Sequence, residues 1–161
     1  PILALSLLLF VLGASTFATV DAACDLPFKD IGGRCFLVEN FAKGAWADTN
    51  HWCGYYGATL AKLDDASVFA ALVQEIKNSG ISETFFWIGA SDSAAEGNWV
   101  WLDGTPVAMG TPFWSLTGSS CTVQEPKGGT GQNCAALHPK RSYYFDDIGC
   151  TTQAGAICEK I

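Results

Sequence analysis

The chain has 161 residues, about half of them apolar, and a formal net charge of −7 from nine basic and sixteen acidic side chains. So few cations, none in a long run, exclude a nucleic-acid partner. Residues 2–12 are uncharged and almost wholly apolar, and small residues follow, with candidate cleavage sites after Ala18 and Ala22. Residues 1–22 therefore read as a signal peptide. The apolar run is too short for a membrane span, which needs about twenty residues. The expected location is secreted and extracellular, where disulfides persist. What remains, residues 24–161, is close to the size of one domain, roughly 100–150 residues.

Residues 43–52 favour a helix, with Ala45, Trp46, Ala47 and Trp52, ended by Gly54 and Gly57. A second helix is better marked. Asp65 can cap it, Val68, Phe69, Leu72, Val73 and Ile76 form one apolar stripe, and Gly80 follows. Phe85, Phe86, Trp87 and Ile88 read as a buried strand, and Trp99, Val100 and Trp101 as another, closed by Asp103 and Gly104. Residues 105–127 are rich in Gly, Pro, Ser and Thr, a length of loop that usually carries function. Further strands are expected over 135–137, 142–145 and 154–158, with His138, Pro139, Lys140 and Arg141 as a solvated turn. Two helices followed by several strands predict an α+β fold.

The chemistry concentrates near the C-terminal cysteines. Glu125, Pro126 and Lys127 precede Cys134, and Asp146 and Asp147 precede Cys150. Oxygen ligands pinned together in this way are the chemistry of a hard-cation site, and outside the cell that cation is calcium. Nothing nominates an enzyme. His51 and His138 lie in no metal-ligand pattern, and His51, beside Trp52, reads as a partly buried structural residue. Ser119 and Ser120 have no paired base. The glycines at 128, 129 and 131 lack the lysine of a phosphate loop. The seven cysteines leave one over from any intramolecular pairing, and six alone allow fifteen connectivities.

Together, Trp87-Ile88-Gly89, the run from Trp99 to Gly104, Glu125-Pro126, the Asp147-x-x-Cys150 ending and the cysteine spacing resemble a C-type lectin-like domain over residues 24–161. The resemblance implies two helices, antiparallel strands and a long ligand-binding loop, stapled by disulfides. It pairs Cys24 with Cys35 in an N-terminal hairpin, Cys53 with Cys158 and Cys134 with Cys150, leaving Cys121 unpaired. It implies a cis Glu125–Pro126 bond, calcium ligands at Glu125, Gln132, Asp146 and Asp147, and Phe145 as core packing. The carbohydrate-binding set adds Lys127, with a mannose-type preference. The expected partners are glycans on cell or microbial surfaces, in a role in innate immunity. The alternative is a calcium-independent protein- or surface-binding domain that has lost sugar binding.

Lys127 departs from the family pattern, in which an Asn supplies a ligand oxygen. An ammonium cannot ligate a cation. Two outcomes are open: the side chain swings outward, or its ammonium lies among Glu125, Asp146 and Asp147 in place of the ion. Residues 115–124 look like an insertion in the long loop, and Cys121 within it is expected to be exposed and to link a homodimer.

Overall fold

The computed structural model describes residues 24–81 and 83–161; the leader expected over residues 1–22 lies outside the described residues. In chain order the elements are β1 (Lys29–Ile31), β2 (Arg34–Gly44), α1 (Trp46–Gly54), β3 (Ala58–Leu60), α2 (Ala66–Asn78), β4 (Phe86–Ser91), β5 (Val100–Trp101), β6 (Leu116–Thr117), β7 (Val123–Gln124), β8 (Cys134–Leu137), β9 (Phe145–Ile148) and β10 (Ala154–Lys160). The α+β plan holds. The β1–β2 hairpin ahead of α1 is the N-terminal hairpin that the resemblance implies, although the residue pattern alone does not mark it, and the short β3 between the helices was not expected. Their residues alternate weakly, and most of β2 is only half-buried.

The main sheet runs β1-β2-β10-β4-β8-β9, with β3 also against β10 and β5 against β4. All its pairings are antiparallel except β10 with β4, where Gly155 faces Phe86 and Ala156 faces Trp87 in parallel register. Successive side chains on a strand point to opposite faces, and here both faces are covered. Phe86, Ile88 and Ala90 of β4, Ala135 and Leu137 of β8 and Ile157 of β10 enter the core that holds Val68, Phe69, Leu72 and Ile76 of α2. Trp87, Ala136, Ala154, Ala156 and Cys158 enter the opposite core, with Cys53 of α1 and Trp46 and Trp52 packed against it. That double burial is why these strands read as continuous apolar runs.

The ends of α2 follow from capping. The Asp65 carboxylate accepts from the backbone N–H groups of Ser67 and Val68, satisfying donors that the first helical turn leaves free. Three disulfides staple the domain: Cys24–Cys35 at the first hairpin, Cys53–Cys158 between α1 and β10, and Cys134–Cys150 beneath the long loop. These are the pairs the resemblance implies.

The long loop is held down by aromatic packing. Phe145 is fully buried, and the rings of Trp101, Phe113 and Trp114 surround it with centroids 5.6–6.1 Å away. Trp99 meets Trp114 edge-on at 5.0 Å. The backbone adds stitches: Ser115 N–H donates to Phe145 O at 2.8 Å, and Glu125 N–H to Ser115 O at 3.0 Å. Within the loop, β6 and β7 form a small hairpin, so residues 115–124, which look like an insertion in the sequence, fold as a two-stranded ribbon. Cys121 sits at its tip, exposed and in the left-handed backbone region at φ 48°.

Candidate functional site

The strand expected over 142–145 begins three residues later. Residues Pro139–Arg141 form a 3-10 turn, and Ser142 and Tyr143 both take positive φ, at 57° and 65°. This reversal sends Tyr143 into the core, where its hydroxyl donates to Ile81 O at 3.2 Å. It also shifts β9 onto residues 145–148, so Asp146 and Asp147 stand on a sheet strand with a rigid backbone. Opposite them lies the Glu125–Pro126 bond, which is cis as the resemblance implies.

Glu125, Asp146 and Asp147 are all buried, and each offers a carboxylate oxygen within 4.8 Å of the others. Burial penalises charge, so such a cluster needs neutralising partners. Asp147 finds them in the backbone. Its carboxylate accepts from Lys127 N–H at 3.2 Å and from Gly128 N–H at 2.5 Å, which ties the loop to β9. Asp146 is less well served. Its carboxyl is pushed up to about 6, chiefly by burial and further by Glu125 and Asp147, against the opposing pull of Arg141.

Arg141 is the residue that sequence reasoning placed in a solvated turn. Its side chain points inward instead. Nη1 donates to Asp146 Oδ2 at 2.5 Å, to Glu125 Oε1 at 3.0 Å and to Ser115 Oγ at 3.4 Å. Lys127 takes the outward course. Its ammonium donates to Thr117 Oγ1 at 2.8 Å and lies 3.8 Å from Glu125 Oε1, with half the side chain in solvent. A cation does sit among the carboxylates, but it comes from the other side of the site. Nothing in the residue order around Arg141 marks it; only the turn geometry brings it in.

Gln132 is exposed, and its amide Nε2 donates to the backbone carbonyl of Asp147 at 2.9 Å while the side chain lies across Gly128. It buttresses the Asp147 strand. His138 is half-buried beside the site, with Nδ1 accepting from Lys140 N–H at 3.1 Å. Burial, and then the Arg141 charge, hold its pKa below the usual value. The ring is therefore neutral at physiological pH, with its proton on Nε2, 3.7 Å from Asp146 Oδ2. His51, expected to be partly buried, is exposed and within 3.2 Å of the Tyr55 hydroxyl.

On the far side of Asp147 a cavity of about 170 Å³ is bounded by Asp92, Glu96, Trp99, Lys127 and Gly128. Asp92 is buried. Its Oδ2 accepts from Gly97 N–H at 2.8 Å, while Oδ1 has no hydrogen-bond partner among the described residues. Asn133 Oδ1 is likewise buried without a partner among the described residues. Sequence reasoning passed over both residues because neither stands in the motifs that carried it.

A lectin C-type domain model matches residues 42–160. C-type lectin domain family 6 member A of Homo sapiens is 27% identical over 139 residues, covering 84% of this chain and 60% of that one. The chain thus spans about 60% of that curated relative's length. Among solved structures, a Ca2+-dependent type II antifreeze protein in its Ca2+-free form superposes with a TM-score of 0.69 at 25% identity, covering 86% of this chain and all of that one. A mouse scavenger receptor C-type lectin carbohydrate-recognition domain superposes with a TM-score of 0.65 at 25% identity, covering 85% of this chain and 95% of that one. With the fold, the cysteine pairs and the loop-borne carboxylates all in agreement, the chain belongs to the C-type lectin domain family, whose members are binding proteins and not enzymes.

Proposed function

We propose that this domain is a secreted, calcium-dependent lectin that binds glycans of the mannose type on cell or microbial surfaces, in a role in innate immunity. The observation that carries the reading is the set of three buried carboxylate oxygens within 4.8 Å of one another at the base of the long loop. The donor set suits the ion. Calcium takes six to eight hard oxygen ligands in flexible geometry, and three carboxylates supply charge and oxygen without a soft donor. Glu125, Asp146 and Asp147 would hold it, with the Gln132 amide oxygen as a fourth donor after rotation from its present contact.

Bound there, calcium would take lone pairs from two neighbouring hydroxyls of a sugar ring. The chain's own part is to orient that ring. Glu125 accepts a hydroxyl hydrogen, and the exposed Lys127 ammonium, 3.8 Å away, donates to an adjacent oxygen. This acceptor-then-donor order supports the mannose-type preference. A secreted location agrees with the three disulfides. Among the described residues no helix is long and apolar enough to cross a membrane.

A second reading, calcium-independent binding of a protein or other surface, is favoured by the Arg141 guanidinium, which already contacts Glu125 and Asp146. One experiment separates the two. Protein stripped with chelator is passed over mannose-agarose, galactose-agarose and plain agarose, with and without millimolar calcium. Retention on mannose-agarose only with calcium is the expected result. Equal passage through all three columns under both conditions would overturn the glycan reading.

A further inference from the structure

We propose that Arg141 is a built-in counter-ion of the calcium site: its guanidinium keeps Glu125 and Asp146 together in the ion-free protein, and calcium binds only by displacing it. The inference rests on the calcium reading above and extends it to how the site is governed.

Three observations carry it. The first is position. Among the described residues, the side-chain hydrogen bonds of Arg141 run through one nitrogen, Nη1, which touches Asp146 Oδ2, Glu125 Oε1 and Ser115 Oγ. That nitrogen touches two of the three carboxylates a metal ion would use. Two cations cannot share so small a volume, so occupancy by one excludes the other.

The second is charge. Lys127 is half-exposed, donates to Thr117 and stands back 3.8 Å from Glu125, whereas Arg141 reaches both carboxylates at hydrogen-bond distance, and Asp147 is served by backbone N–H groups. Arg141 is thus the main side-chain partner of the Glu125–Asp146 pair in the ion-free state. Without it, two buried carboxylates would face each other with only the Lys127 ammonium, 3.8 Å from Glu125, nearby, an unfavourable arrangement.

The third is an exit. Arg141 ends the 3-10 turn Pro139–Arg141, its side chain is 30% exposed, and it lines an open cavity of about 540 Å³ together with Lys140, Ser142, Leu116 and Tyr144. The guanidinium can turn into that cavity by side-chain rotation, leaving the backbone reversal at Ser142 and Tyr143 in place. Calcium binding is then an exchange of one cation for another. Apparent affinity is lowered, and the loop stays ordered when the ion is absent.

The test is calorimetric titration of calcium chloride into the chelator-stripped secreted protein, comparing wild type with Arg141→Gln and Lys140→Gln. Lys140 is exposed on the same turn, so its substitution makes the same charge change without emptying the site. The expected result is calcium binding roughly tenfold or more tighter in Arg141→Gln, with Lys140→Gln within about twofold of wild type. In chelator, Arg141→Gln should melt at a lower temperature than wild type and regain most of the difference on adding calcium. Equal affinity in wild type and Arg141→Gln, equal tightening by Lys140→Gln, or no calcium heat in any of the three would overturn the proposal.

A measurement on wild type alone guards against a variant that does not fold. The Arg141 guanidinium nitrogen resonance should shift during the calcium titration, and an unmoved signal sinks the idea. Failure of the glycan reading looks different: calcium displaces Arg141 as described, yet mannose-agarose does not retain the loaded protein.

Discussion

Replacing Asp147 by alanine removes the acceptor that ties the Glu125–Pro126 turn to β9, and the effect should be large even without calcium. Two backbone donors, Lys127 N–H and Gly128 N–H, point at this one buried carboxylate. Hydrogen bonds to charged groups are worth about 1.5–3 kcal/mol each, and a donor left without a partner costs about as much. Because the donors share one carboxylate and Lys127 is partly solvated, the two do not add fully. A loss of about 2–4 kcal/mol is expected, a sizeable part of the roughly 5–15 kcal/mol typical of a domain. Asp147→Asn keeps one acceptor oxygen and should lose about half as much. Urea unfolding in chelator measures the total, and hydrogen exchange at the Lys127 and Gly128 amides locates it. A loss below about 1 kcal/mol for Asp147→Ala, with those amides exchanging as in wild type, would refute the claim that this carboxylate organises the loop before any ion arrives.

Removing Cys53–Cys158 by a double alanine substitution opens a loop of 105 residues and should cost about 4–5 kcal/mol in the chain-entropy model, against about 3 for Cys134–Cys150 with its 16; thermal melts of the two variants should preserve that order. Stability of the calcium-free protein should depend on Asp146, which faces Arg141, Glu125, Asp147 and the neutral His138, with Lys127 beyond Glu125. Its folded pKa of about 6 exceeds the ordinary 3.8, so its contribution is fully present below about pH 4 and is lost as the pH rises through 6, up to about 3 kcal/mol. Asp146→Asn should flatten that profile in chelator; an unchanged profile would count against the assignment. We also expect the exposed Cys121 thiol to form a disulfide-linked homodimer, read as a dimer band on a non-reducing gel that Cys121→Ser abolishes; a purely monomeric wild type would count against it.

The parts of this protein legible in its sequence are those where one residue type does one job. Asp65 before an apolar stripe can only be a cap, and α2 begins one residue after it. Trp87 and Ile157 mark strands because a sheet buried on both faces admits apolar residues at every position. The carboxylates were legible too, since Glu125 beside proline and the pair at 146 and 147 are spaced by cysteines that staple their loop. The β1–β2 hairpin was legible only through its cysteine pair, because a long, half-exposed strand has neither strict alternation nor a continuous apolar run.

Arg141 was hidden for a different reason. It stands 16 residues from Glu125 and 5 from Asp146, at the end of a turn whose composition resembles any solvated turn. Its direction is set by two residues after it in left-handed backbone, Ser142 and Tyr143, neither of them a glycine. Burial of the Tyr143 ring against the core, with its hydroxyl on Ile81 O, holds that conformation and so turns the preceding arginine inward. A packing requirement on one face of the sheet thereby decides which cation meets the carboxylates of the loop. The ligand set is written in a motif, whereas the competitor for it is written only in how the chain reverses between β8 and β9.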